Sequence, residues 1–289
     1  MWLPLRVVHE SSCPEIGPAC ALSPIDPLLH DLELNAVEVR ASAQVGVVEH
    51  LALELRVPLR ITATEITYRH LDGSVFPDAP DGDLHHRDET IAGLGDPWLL
   101  ARTEWPLGPV RLGGHLGFTV PLGRTEHNPF TAGTAGEQHQ HIQHGTGTVD
   151  PLLGLDAAVT LSPTFDLRLS LQARLTLYAN DHGYQAGHTV EASVGAGATV
   201  EGFRGGLSLD LLHQAPERWD GVIQEDGNLG TTTLLLGLEG SVAAGPMSVG
   251  LSVKVPVYQH LVAGPEHGEL SYPLILGLHV DGLIGGPAP

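Results

Sequence analysis

Residues 165–178, Phe-Asp-Leu-Arg-Leu-Ser-Leu-Gln-Ala-Arg-Leu-Thr-Leu-Tyr, are apolar at every odd position and polar or charged at nearly every even one. A period of two places all the apolar side chains on one face of a β-strand. The other face carries Asp166, Arg168, Gln172 and Arg174, which no dry core accepts unpaired. One sheet face is thus made for oil and the other for water, over a length that suits a tilted membrane strand of roughly 9–11 residues.

The alternation recurs at 37–45, 51–64, 110–122, 153–161, 190–200, 207–211, 234–244, 249–257 and 270–280, with 98–107 a weaker instance. Eleven strands are readable between Leu32 and Ile284, and an even count places a twelfth before Leu32. The connections alternate in character. Tight ones fall at 48–49, 107–109, 162–164, 202–205 and 245–246, and long polar ones at 69–92, 123–147, 180–188, 215–229 and 262–269. Short turns at one end and long loops facing outward at the other are what transmembrane barrels show. The predicted fold is all-β, an antiparallel up-and-down transmembrane β-barrel of about 12 strands. The barrel is assigned to 32–285, after an N-terminal segment 1–31 and before a tail at 286–289.

No apolar run reaches the roughly 20 residues of a membrane helix. Aromatics make up 5% of the chain, few for full interfacial girdles, but Tyr68, Trp98, Trp105, Phe165, Tyr178, Phe203, Tyr258 and Tyr272 lie near strand ends. A formal charge of −20 argues against nucleic acid as a partner, which demands a basic footprint.

Gly93-Leu94-Gly95-Asp96-Pro97 and Gly147-Thr148-Val149-Asp150-Pro151 open strands after long loops, and Gly230-Thr231-Thr232-Thr233 is a looser third copy. The expected role of the aspartate is to cap nearby backbone N–H groups, with proline near the strand start where a missing donor costs little. Together with Val120-Pro121-Leu122-Gly123 and the loop closing in Gly145-Thr146-Gly147-Thr148-Val149-Asp150, this resembles the outer-membrane transporter-like barrels named for the meta-pathway of phenol degradation. The resemblance spans roughly residues 32–284. It implies a bacterial outer-membrane location and a role in passing small organic molecules. The first twelve residues lack the charged start, apolar middle and small-residue cleavage site of a signal peptide, and the C-terminus lacks a terminal aromatic.

Candidate lumen residues are Glu38, Arg40, Glu54, Arg56, Arg60, Arg102, Glu104, Arg111, His115, Asp156, Asp166, Arg168, Arg174, Glu191, Glu239, Lys254 and His279. The signs are interspersed, which allows pairing across strands. Cys13 and Cys20 form a candidate disulfide under oxidising conditions, or stay as free thiols in a reducing one.

Histidines cluster at His85 and His86 and at His127, His139, His141 and His144, near carboxylates, a composition that suits Zn²⁺ or Cu²⁺. In an extended segment His139 and His141 point the same way, whereas His144 needs a turn to join them. The competing reading is a polar loop packed at the barrel mouth. No nucleophile elbow, P-loop or dinucleotide fingerprint is present, and the sequence is read as a non-enzyme. Three functions follow: a passive channel for small organic solutes in the lipid bilayer, a metal-binding or structural outer-membrane barrel, and a soluble ligand-binding barrel.

Overall fold

In the computed structural model, residues 1–11, 28–76, 88–135, 137–224, 227–263 and 268–282 are described. The strands are β1 (Trp2–Ser11), β2 (Leu28–Val48), β3 (Leu51–His70), β4 (Glu89–Leu94), β5 (Trp98–Leu107), β6 (Val110–Thr119), β7 (Pro151–Thr160) and β8 (Phe165–Arg174). They continue with β9 (Tyr184–Gln185), β10 (Thr189–Val200), β11 (Phe203–Gln214), β12 (Arg218–Trp219), β13 (Thr231–Ala244), β14 (Met247–Leu261), β15 (Gly268–Ser271) and β16 (Ile275–Gly282). A short helix, α1 (Pro129–Ala135), lies between β6 and β7.

Antiparallel pairing runs from β2 through β3, β5, β6, β7, β8, β10, β11, β13, β14 and β16 to β1, and β1 pairs with β2 to close the ring. β4 occupies the same column as β5: it pairs with β3 over Leu59–Thr64, and β5 pairs with β3 over Leu51–Arg56. β15 likewise shares the column of β16 along β1. The result is a closed barrel of twelve columns. Closure satisfies every strand edge, the only way strands survive in lipid.

The alternation resolves as oil outside. Leu53, Leu116, Leu155, Leu209, Leu238, Leu251 and Leu278 are spread around the ring and all are exposed, Leu116 at 65%. The residues alternating with them along each strand point inward, and the charged ones pair with one another. No helix among the described residues is long and apolar enough to cross a membrane, so the strands are the spanning elements.

Several expectations change. The twelfth strand before Leu32 is β1, so residues 2–11 are barrel wall rather than a separate segment, and the boundary expected at residue 32 falls inside β2. Cys13 and Cys20 lie outside the described residues. The strand expected over 165–178 stops at Arg174, although the alternation runs on to Tyr178. Its neighbours end there: Arg174 is the last residue paired with β10, and the next position faces Pro151, which has no N–H to give. The strand expected over 270–280 is interrupted at 272–274, where Pro273 removes a ladder donor. A register shift in the β13–β14 ladder at Leu234/Leu235, opposite Pro256, has the same origin.

The aromatics divide. Trp105, Phe165 and Phe203 are exposed beside the tight turns, and Tyr178 and Tyr258 beside the long loops, as a girdle requires. Trp98 instead packs under the guanidinium groups of Arg40 and Arg56, Tyr68 packs edge-on against the buried His30, and Tyr272 is buried. These three serve the interior.

Candidate functional site: two cavities stacked in the barrel

The inner face of the barrel carries a ladder of ion pairs. Arg60 of β3 donates to Glu38 of β2 at 3.0 Å, and Arg40 donates to the same carboxylate at 2.5 Å. Glu54 receives Arg56 and, at 3.0 Å, Arg102; Arg102 also reaches Asp156 at 3.4 Å. Arg168 pairs with Glu239, Arg204 with Asp166 at 2.7 Å, and Lys254 with Asp210 at 3.0 Å. Arg111 and Glu104 stand 3.8 Å apart, and His115 lies 3.8 Å from Asp156. Arg174 approaches the fully buried Asp150 at 4.0 Å.

Several of these pairs span more than one strand. Arg204 on β11 reaches Asp166 on β8 across β10, and the residue it crosses is Gly197. A Cβ there would collide with the Arg204 guanidinium. The Arg168–Glu239 pair likewise passes over the Gly195–Gly197 and Gly206 positions of β10 and β11. Glycine on the inner face therefore opens room for charges to meet over an intervening strand.

Part of this ladder, Arg102, Glu104, Arg111, Asp156, Arg168, Glu239 and Lys254, lines a cavity of about 720 Å³. Above it lies a second cavity of about 750 Å³, lined by Leu3, Leu5, Leu34, Leu212, Leu235 and Ile275, with Arg40, Glu191 and Lys254 among its polar members. Lys254 borders both. An interior polar throughout was the expectation, and the upper half corrects it. The signal lay in Leu211-Leu212 and Leu234-Leu235-Leu236, where consecutive leucines break strict alternation and one of them must face inward.

The segment between β6 and β7 does not project outward. Arg60 donates to the backbone oxygen of His144 at 2.7 Å, and Gln140, His141 and Ile142 line the upper cavity. Asp96, at the break between β4 and β5, anchors this segment by accepting the N–H of Gly123 at 2.8 Å and of Thr146 at 2.6 Å, and the Thr146 hydroxyl at 2.9 Å. The donors are remote in sequence, not the local ones expected. Asp150, in the second copy of the motif, accepts hydroxyls instead, from Thr148 at 2.6 Å and Thr176 at 3.3 Å.

Burial and the nearby guanidinium groups of Arg60 and Arg124 push the His144 imidazole below its ordinary value. Beside the cavity, Glu217 accepts the indole N–H of the buried Trp219 at 3.0 Å and the N–H of Asn228 at 3.1 Å. Burial raises its carboxyl above the ordinary range and raises the neighbouring Tyr184 phenol as well.

The histidines do not form one centre. His139 and His141 adjoin, with ring centroids 5.4 Å apart, but His141 also packs edge-on against Phe130. His127 packs on His182, and His144 faces Thr62 at 3.4 Å. His85 and His86 lie outside the described residues. Among the described residues no three metal-ligating side chains converge. The contacts that position each histidine are unrelated to the spacing that suggested a cluster. Residues not singled out from sequence include Arg204 and Asp210, which sit at inward positions of β11, and Asp31, which receives Arg6 at 2.6 Å and Arg69 at 2.9 Å.

No curated protein matches the sequence. Among solved structures, the COG4313 outer membrane channel from Pseudomonas putida F1 shares the fold, with a TM-score of 0.52 and 14% identity over 98% of this chain and 95% of that one. A Pseudomonas aeruginosa FadL homologue aligns at 11% identity over 96% of this chain and 88% of that one, with a TM-score of 0.37. The closed ring with its apolar belt is an outer-membrane β-barrel. A sequence profile described as "Putative MetA-pathway of phenol degradation" matches residues 63–259, well over half of the chain, and the protein belongs to that family.

Proposed function

We propose that the protein passes small, largely apolar organic solutes through the barrel interior. The observation that carries this reading is the apolar cavity of about 750 Å³ set inside the wall and bordering a polar cavity at Lys254. An apolar chamber concentrates a hydrophobic solute by burying its surface, at about 25 cal/mol per Å². The polar chamber beneath it then offers paired charges and water to a solute that is leaving. The Pseudomonas putida structure that shares this fold is an outer membrane channel, which supports the same reading.

The test is influx of benzyl alcohol into vesicles whose outer leaflet is lipopolysaccharide, which slows passage through lipid. The protein should accelerate entry, and Leu235→Trp, which fills the cavity from its 1%-exposed position, should remove the acceleration while the heat-modifiable gel mobility of a folded barrel persists. Equal influx with and without the protein would refute the proposal.

A further inference from the structure

We infer that the upper cavity selects organic cations, a hydrophobic body carrying a protonated amine, and that Glu191 is the residue that recognises the charge. This rests on the reading of that cavity as the solute site. Among the charged side chains that line it, Arg40 is held by Glu38 at 2.5 Å, Lys254 by Asp210 at 3.0 Å, and Glu217 is buried and occupied by Trp219 and Asn228. Glu191 has no hydrogen bond or ion pair among the described residues.

It stands on the inner face of β10, in register between Gln172 and Leu212, with its side chain exposed to the cavity. Neither register neighbour carries a charge. The nearest arginine on β8, Arg174, faces Thr189 rather than Glu191 and lies 4.0 Å from Asp150. A carboxylate left uncompensated beside apolar walls attracts a complementary charge more strongly than it would in bulk water. Tyr272, also on the lining, adds an aromatic surface that favours a cation over an anion. The cationic side chains of the lining, Arg40 and Lys254, point the other way, toward an organic acid, but each already has its carboxylate, and the Met1 ammonium donates to the Glu38 backbone oxygen at 2.8 Å.

The test compares three probes with one body: benzylammonium, benzyl alcohol and benzoate, titrated by saturation-transfer NMR into the protein held in phosphatidylcholine nanodiscs at pH 7. Signal from Leu235→Trp nanodiscs is subtracted to remove partition into lipid. Benzylammonium should bind about tenfold tighter than benzyl alcohol, the effect of one modest charge pair. Glu191→Gln should erase that preference, bringing benzylammonium to the affinity of benzyl alcohol. Equal affinity for the three probes, tightest binding of benzoate, or a cation preference that survives in Glu191→Gln would each overturn the inference while leaving the cavity reading intact. If benzyl alcohol shows no difference between the wild type and Leu235→Trp, the cavity is not a solute site and both fall.

Discussion

The carboxylate of Asp96 accepts both the backbone N–H and the hydroxyl of Thr146, fifty residues further along the chain, at 2.6 and 2.9 Å. Its other oxygen takes the N–H of Gly123. One buried side chain therefore ties the β4–β5 break to both ends of the segment that folds into the barrel. Asparagine offers one acceptor oxygen in place of two and turns a donor toward donors. Asp96→Asn should cost about 1–3 kcal/mol, the penalty for leaving buried polar groups unpaired. Urea titration followed by the loss of heat-modifiable mobility would read it, and an unchanged midpoint would remove Asp96 from this role.

Gly145 is the steric counterpart of that clasp. A Cβ on it would come within 2.7 Å of the Gly123 Cα and of an Asp96 oxygen, and the Gly123 contact is backbone that cannot turn aside. Gly145→Ala should destabilise the protein by about 1–3 kcal/mol through overpacking. Because it disturbs the same contacts as Asp96→Asn, the double variant should lose less than the two single losses added together.

Leu209 faces outward in the middle of β11, between Val194 and Leu236. Leu209→Arg should destabilise the membrane-inserted barrel by about 2–4 kcal/mol, the cost of a cation at the bilayer midplane. Leu212→Arg, one strand face away, should instead fill the upper cavity and slow benzyl alcohol influx. Equal outcomes for the two would contradict the assignment of faces.

Two buried groups give the stability opposite slopes with pH. His144 is held below its ordinary value by burial, so the unfolded chain binds more protons there, and stability falls as pH drops below about 6.5. Glu217 is held above its ordinary value, so the folded chain binds more protons there, and its contribution is full below about 4.5 and declines as pH rises from that point. Comparing urea midpoints at pH 7.5 and 5.5 should show a loss on acidification that His144→Gln reduces. Glu217→Gln, which removes the opposing slope, should enlarge that loss instead.

Eleven of the twelve strand columns, their inward and outward faces and the tight turns were readable because a period-two pattern is a local property of the chain. Arg168 and Glu239 could be placed on one face by counting residues. Their pairing could not be foreseen, since it depends on Gly195, Gly197 and Gly206 leaving the intervening strands bare. β1 escaped notice because its inward residues, Leu3, Leu5 and Val7, are apolar where the other strands turn polar side chains inward. Without alternation it carries no signal. The histidine grouping misled for the converse reason: proximity in sequence brought His139 beside His141 but not His144, whose place is fixed by Arg60 and Thr62 on another strand.

By itself, then, the sequence determined that this chain makes a membrane barrel, because each strand must separate oil from water along its own length. Only the tertiary structure decided what the barrel holds. The lower cavity exists because distant charges meet across glycine, and the upper one because apolar residues of β1, β2, β11, β13 and β16 converge beneath a loop anchored by Asp96. Ring closure makes those neighbours, and no local period records it.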